Sequence, residues 1–301
     1  MQHIDIVVPC ESNSIHYLTM LGCVHLESAL HYERLFDSLI DERANLPNHH
    51  FGILGDFFSA IIASDQKRYA AHEASPEVAG RTDMQNAALE LARRKLRRIG
   101  EQLDMAALGN HEWTVTQRYG FDPISALIDS LRSTGSPVRW GGYCGMLTYH
   151  FTDKASYEQK RKPHHSVQHR NLYHHGVSAG GKTKAIIPTT EWSRQQPDFD
   201  ICWTAHTHAM VMFPDPKGTQ SEPRWKDGQV LQRHMKHQIR WFVNTGTFQK
   251  TYNDHDKLPD FGERGGHPLR HIGAPLVIIK PSFGHGVKFD VIGSTETGVI
   301  K

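Results

Sequence analysis

YLTMLGCVHLES, residues 17–28, is a short apolar run that meets Gly22 and then offers Cys23 and His25 one residue apart. So dense an apolar run over few positions predicts a β-strand. Alternate side chains of a strand share a face, so on that reading the thiol and the imidazole can hold one ion together.

Outward from this stretch, ESALHYERLFDSLIDERANL, residues 27–46, places Leu30, Leu35, Phe36, Leu39 and Ile40 on one helical face. HHFGILGDFF, residues 49–58, is a second short strand that ends at Gly55 and Asp56, which makes a βαβ beginning. A second helix is predicted from Thr82, with Met84, Ala88, Leu91, Leu96, Ile99 and Leu103 as its apolar face, followed by MAALGNHEW, residues 105–113, as strand then loop. DPISALIDSLRST (122–134) is a third helix. VRWGGYCGMLTYHF (138–151), NLYHHG (171–176), DICWTAHTHAMVMF (200–213) and IRWFVNTGTF (239–248) are strands. The class is α/β in the first half and strand-heavy in the second. No repeat or linker divides the chain, so residues 1–301 are expected to form a single domain, with loops or hairpin ends at 65–81, 152–170 and 214–229.

Composition excludes little. A formal charge of +2 and a pI near 8.3 are too mild to mark a nucleic-acid binder by themselves. No run of about eighteen apolar residues and no secretory leader is present, so a cytoplasmic protein without a membrane partner is expected. The four cysteines form no CxxC pair, which fits a reducing compartment. Histidine, at 22 residues, is the outlier and turns attention to metal.

Several strand-like segments stop at groups able to bind a metal: GCVH, GD, GNHE, HHG and AHTH. In α/β sheets the carboxyl ends of strands gather ligands in one crevice, so separation along the chain is compatible with convergence. Singly the signals are ordinary: Gly-Asp is turn chemistry, His206 and His208 on one strand face can be a surface pair, and Cys23 can be a small buried hydrophobe. The ordered set is what stands out.

That order resembles the calcineurin-like metallophosphoesterase superfamily, whose pattern is DxH, GD, GNH with Glu or Asp, a His before Gly or Ala, and GHxH. RWFVNTGTFQKTY is similar to the closing strand and glycine turn of its uncharacterised phage and bacterial members. The resemblance implies a four-layer αββα sandwich with two mixed β-sheets and two divalent transition metal ions, manganese, zinc or iron. It makes His25, Asp56, His208 and whatever position 23 provides the ligands of one ion. Asp56 bridges to a second ion held by Asn110, His206 and a histidine of the 174/175 pair: His175 matches the HG form, with His174 as the alternative, and the unused one faces substrate. His111 becomes the general acid, and Glu112 either orients it or caps the following turn. Such a pair of ions clamps a phosphate and lowers the pKa of a shared water for in-line displacement.

The pattern departs from the family at Cys23, where most members have Asp, and in GDFFSA, which lacks a later Asp. A thiolate is a soft ligand and shifts preference toward zinc or iron. RNA lariat debranching enzymes, in the same superfamily, also carry Cys there. The expected function is thus a metal-dependent phosphoesterase, a phosphodiesterase or nuclease, with a phosphate ester as substrate and nucleic acid among the candidates. The alternatives are a phosphomonoesterase on a nucleotide or phosphoprotein, and a non-catalytic scaffold on the same fold. Of the two basic stretches, Arg94, Arg97 and Arg98 lie on a helix and read as a solvated face. Lys160, Arg161, Lys162, His164, His165 and Arg170 lead into the HHG strand and can border the site, and Lys182 in SAGGKTK can approach an anion.

Overall fold

The first apolar run becomes strand β2 (His16–Leu21), followed by helix α1 (Glu33–Ala44) and strand β3 (His49–Leu54), the expected βαβ unit. The computed structural model describes residues 1–60, 74–159, 166–176, 186–196, 198–220, 224–226, 229–232, 235–251 and 270–293. Helix α1 buries Phe36, Leu39 and Ile40 at helical spacing, whereas Leu30 precedes it. Helix α2 (Met84–Leu96) buries Met84, Ala88, Leu91 and Leu96, but it ends sooner than the apolar pattern implies. Residues Arg97–Gln102 tighten into a 3-10 turn, from which Ile99 still reaches the core, before β4 (Leu103–Ala107).

Helix α3 (Asn110–Tyr119) begins where the sequence predicts a loop. Helix α4 (Pro123–Arg132) follows the pattern: Asp122 accepts from the amides of Ile124 and Ser125 at 2.9 and 3.0 Å, and proline occupies the first turn. The predicted strand at 138–151 is two, β5 (Arg139–Trp140) and β6 (Cys144–Asp153), separated at Gly141 and Gly142. The one at 200–213 is also two, β8 (Ile201–Thr204) and β9 (Met210–Gln220), with a loop carrying both histidines between them. Strand β7 (Ser166–His174) starts inside a predicted loop, and β9 extends into another. Short strands β10 (Arg224–Lys226) and β11 (Gln229–Gln232) precede β12 (Met235–Thr245). Strands β1 (Gln2–Cys10), β13 (Leu276–Ser282) and β14 (Gly286–Ile292) fall where the sequence reading assigns nothing.

Among the described residues these strands make two six-stranded mixed sheets, in the orders β14-β13-β2-β3-β4-β5 and β1-β6-β7-β8-β12-β9, with β10 and β11 paired apart. Strands β2 to β5 are parallel in the first, and β7, β8 and β12 in the second. Leu18, Met20, Leu54 and Met105 of the first sheet share a core with Tyr149, Phe151, Trp203 and Val243 of the second, so the sheets pack face to face. Helices α1, α2 and α4 cover the other face of the first sheet through Phe36, Leu39, Leu91 and Leu127. Trp192, on the helix Ile186–Arg194, packs on Leu172, Phe199 and Phe242 at the outer face of the second. This is the expected αββα sandwich, with its edge strands β1 and β14 left partly open to solvent.

Ion pairs explain the basic run on α2. Lys95 meets Glu33 and Asp37 at 2.5 and 2.6 Å, Arg98 meets Asp41 at 2.7 Å, and Arg94 pairs with Glu77. Lys95 and Arg98 thus tie α2 and the 3-10 turn to the acidic side of α1. Among the described residues no helix is long and apolar enough to cross a membrane.

One buried histidine sets a pH response of the fold. His169 on β7 is fully buried against Phe289, neither ring nitrogen has a hydrogen-bond partner among the described residues, and Asp200 stays 3.7 Å away. Burial lowers its pKa to about 4, outweighing Asp200, while Arg170 adds to the lowering. The unfolded chain therefore binds a proton that the folded chain refuses between pH 6.5 and 4, and stability falls as pH drops through that window. Chemical denaturation of His169→Leu against wild type should show a shallower loss on acidification, by about 1 kcal/mol between pH 6 and 5. Parallel curves would mean that His169 finds a partner once charged.

Candidate metal centre

Parallel strands end at one edge, and that edge is where the chemistry gathers. Cys23 and His25 follow β2, Asp56 follows β3, Asn110 and His111 follow β4, His175 follows β7, and His206 and His208 follow β8. The two-residue spacing in CVH and HTH is not strand alternation. Strand β2 ends at Leu21, and Cys23, His25, Asp56, His206 and His208 all have left-handed backbones, with φ of 48°, 49°, 47°, 67° and 57°. For a non-glycine residue each costs about 1–2 kcal/mol, so the surroundings must hold them. They do: the amides of Cys23 and His25 donate to the carbonyls of Gly55 and Asp56 at 3.1 Å, and Thr247 Oγ1 donates to Cys23 O at 2.9 Å. Asn244 Nδ2 donates to Ala205 O and Thr207 Oγ1 at 3.1 and 3.0 Å, which fixes the loop of His206 and His208.

The side chains converge. His25 Nε2 and His208 Nε2 face each other at 3.1 Å. His175 Nε2 lies 3.1 Å from both Asp56 Oδ2 and Asn110 Oδ1, and its Nδ1 donates to Leu54 O at 2.8 Å. His111 donates its amide to Asp56 Oδ1 at 3.0 Å, and its ring stands edge-on to His25 with centroids 4.9 Å apart. The rings of His175 and His206 are 5.5 Å apart, and the His206 amide donates to Cys23 Sγ at 3.1 Å. Ligand atoms lie within 4.8 Å of one another in three overlapping sets: Cys23, His25 and His208; Cys23, Asp56 and His175; His25, Asp56 and His111.

Of the histidine pair, His175 turns into this cluster. His174 packs its ring against Tyr143 and Trp192, with centroids 5.4 and 5.0 Å away, and its Nδ1 accepts from the Gly176 amide. Lys182 lies outside the described residues, as do Lys160, Arg161, Lys162, His164 and His165. Arg170 meets Asp198 at 3.5 Å, and Ser166, where β7 begins, is about 26 Å along the strand from His174 at roughly 3.3 Å per residue. Of that stretch Arg170 is described, and it does not border the site: four positions before His174 it pairs with Asp198, on a strand whose other end meets the centre.

The sequence left Glu112 between two roles, and the structure places it at the joint of two loops. It is fully buried at the third position of α3, with Oε2 accepting from the amides of Gly109 and Asp56 at 2.9 and 3.0 Å and Oε1 from that of Phe58 at 2.9 Å. It caps the turn and also locks the Asp56 loop to the Asn110 loop. The approach needs Gly109: a Cβ there would lie 2.1 Å from Asp56 Oδ1.

Electrostatics keep His25, His206 and His208 as lone-pair donors. Burial, reinforced by His111 and His208, holds His25 well below its usual pKa; burial, with Arg270 adding, lowers His208 to about 3; burial also lowers His206. Burial alone would raise Asp56, but the charges of His175, His111 and His25 outweigh it and hold the carboxyl well below its usual value; Asp56 in turn raises His175 against burial. Burial first, then Asp56, raises Glu112 to about 7 and pushes the Cys23 thiol well up.

These donors fit divalent transition metal. Neutral imidazole nitrogens, a carboxylate, an amide oxygen and a sulfur form a mixed set of intermediate softness, suited to zinc, iron or manganese. Two imidazole nitrogens facing each other at 3.1 Å have one proton at most between them, and the His25 Nδ1 is buried without a hydrogen-bond partner among the described residues. A cation satisfies lone pairs that the protein alone does not. Arg270, missed by motif reading, donates to Thr207 O at 2.7 Å and brings a guanidinium to the His206 loop; no motif near it announces this.

No family model matches the chain, and no curated protein matches it in sequence. Among solved structures it is similar to a metallophosphoesterase from Sphaerobacter thermophilus, at 12% identity and a TM-score of 0.36 over 92% of this chain and 88% of that one. GAP50, the anchor in the inner membrane complex of Plasmodium, is similar at 9% identity and a TM-score of 0.41 over 95% and 87%. A conserved uncharacterized protein from Streptococcus pneumoniae TIGR4, described as a predicted phosphoesterase, is similar at 8% identity and a TM-score of 0.31 over 92% and 98%. These likenesses are distant, and the reading of the centre rests on its own residues.

Proposed function

We propose that the protein is a metal-dependent phosphoesterase. The observation that carries this is the meeting of Cys23, His25, Asp56, Asn110, His175, His206 and His208 at one edge of two sheets, with His111 beside them. In this reading His25, His208 and Cys23 would hold one ion and Asn110, His175 and His206 a second, with Asp56 available to both. Bound there, the ions would polarise a phosphoryl group and offset the negative charge that builds in displacement. The chain's own groups do the rest. His111 Nδ1 is tied to Ser59 O at 2.7 Å, which leaves Nε2 to pass a proton to the departing oxygen. Glu112 fixes the distance between the Asp56 and Asn110 loops.

The finer reading is a phosphodiesterase or nuclease. It is supported by the Cys and His of the first motif and by Trp113, which is 44% exposed at the position after Glu112, one turn from Asn110 on α3. Lys182 is assigned to substrate contact in the same reading, whereas His174, packed against Tyr143 and Trp192, is not. The test is metal analysis of the purified protein together with hydrolysis of bis(p-nitrophenyl) phosphate, p-nitrophenyl phosphate and short RNA or DNA under manganese, zinc or iron. The expected result is bound transition metal and faster turnover of diesters. Faster monoester turnover would replace the finer reading with a phosphatase. Filled metal sites with no turnover of any ester would overturn the enzyme reading in favour of a scaffold.

A further inference from the structure

Glu27 lies two residues beyond His25, and no motif assigns it a role. Its side chain is 2% exposed and lines an apolar cavity with Phe58, Val78, Met84 and Ala88. A carboxyl in such surroundings is costly unless it is hydrogen-bonded. Its Oε1 accepts from the Ala60 amide at 2.7 Å, while Oε2 has no partner among the described residues.

What this bond holds is the turn behind His111. Ala60 has a left-handed backbone, with φ of 53°, and does not keep it without support. The Phe58 amide donates to Glu112 and the Ala60 amide to Glu27, so buried carboxyls grip the turn on either side of Ser59. The Ser59 carbonyl accepts from His111 Nδ1 at 2.7 Å. A carbonyl oxygen only accepts, so Nδ1 carries the hydrogen and Nε2 is the ring atom left to exchange a proton.

We propose that Glu27 is a positioning residue for His111: through the Ala60 amide it sets the Ser59 carbonyl, which in turn fixes the tautomer and aim of the imidazole. The inference rests on the phosphoesterase reading, in which His111 protonates the leaving oxygen. In that step the P–O bond to the leaving group breaks, the oxygen takes the electron pair and the Nε2 proton of imidazolium His111, which is left as the Nδ1–H tautomer; the proton released by the entering water returns His111 to the imidazolium through solvent. Water supplies the entering oxygen. A p-nitrophenolate leaves without that proton, whereas a sugar alkoxide needs it. A defect in aiming His111 therefore falls on the second kind of ester alone, and a general loosening of the fold falls on both.

The experiment uses the full chain with manganese and compares thymidylyl-thymidine with bis(p-nitrophenyl) phosphate, or thymidine monophosphate with p-nitrophenyl phosphate if monoesters are turned over. Glu27→Met keeps the volume and removes the acceptor. It should lower kcat on the nucleotide by about 10²-fold with KM unchanged and leave the nitrophenyl ester nearly as fast as wild type. Glu27→Gln keeps an acceptor oxygen and should restore the nucleotide rate. Nitrogen NMR of the metal-free protein supplies an independent reading: His111 is the Nδ1–H tautomer in wild type and Glu27→Gln, and a mixture in Glu27→Met. Equal losses on both esters, a Gln variant as slow as Met, or an unchanged tautomer would each overturn the proposal. Thermal unfolding checks that the variants are folded, and Glu27→Leu replaces Glu27→Met if that one is not. If wild type with metal bound cleaves neither ester, the phosphoesterase reading falls, and the tautomer alone still judges the hold of Glu27 on His111.

Discussion

His111→Gln lowers kcat by about 10²–10⁴-fold while the metal bound per chain stays at the wild-type level; that is the result expected from the geometry. The His111 amide, not its ring, bonds Asp56 Oδ1 at 3.0 Å, and a substitution keeps the amide. The ring bonds Ser59 O through Nδ1, so what glutamine removes is a proton carrier at Nε2. The structure also offers a competing arrangement, because His25, Asp56 and His111 have ligand atoms within 4.8 Å of one another. Metal analysis and steady-state kinetics on one preparation separate the two. Activity and metal content falling together would make His111 a ligand, and the proton donor would have to be sought elsewhere.

The second large effect is expected at Glu112. Alanine there strands the amides of Gly109, Asp56 and Phe58, all now satisfied by the carboxylate. At roughly 1–2 kcal/mol per stranded buried donor, Glu112→Ala should cost about 4 kcal/mol in denaturant unfolding of the metal-free protein. Glutamine can turn its one acceptor oxygen to the Gly109 and Asp56 amides and strand only Phe58. Glu112→Gln should therefore cost about 1–2 kcal/mol. Metal affinity should follow the same order, since the Asp56 loop is what Glu112 ties down. If Gln and Ala cost the same, the negative charge of Glu112 and not its set of acceptor contacts carries the stability.

Much of the sandwich was legible because its first half is written in strong periods. Phe36, Leu39 and Ile40 on α1, and Met84, Ala88 and Leu91 on α2, recur at helical spacing and are buried accordingly. The site residues were legible for a different reason: their order resembles a known pattern, and parallel β3 and β4 bring GD and GNH to one edge, where HHG at the end of β7 in the other sheet meets them. Helix α3 was read as loop because its first turn holds Asn110, His111 and Glu112, polar groups whose helical state is set by Glu112 bonding across to Asp56 and Phe58. CVH and HTH looked like strand because a loop whose alternate residues are left-handed also repeats every second position. Strands β1, β13 and β14 went unread although β13 carries a dense apolar run, Leu276 to Ile279, since their place is decided only by pairing with β6 and β2. Glu27 was invisible in principle, because the amide it holds, that of Ala60, lies 33 positions away.

The left-handed backbones at Cys23, His25, Asp56, His206 and His208 bear on how this protein can be improved. Glycine or asparagine at any of them relaxes the chain, and for the bare protein that relaxation favours the folded state. A library sorted only for survival of heating would thus be drawn to these five codons first. It would hand back sturdier proteins that had lost their chemistry, and the sorting step has to score bound metal beside heat tolerance to avoid that drift.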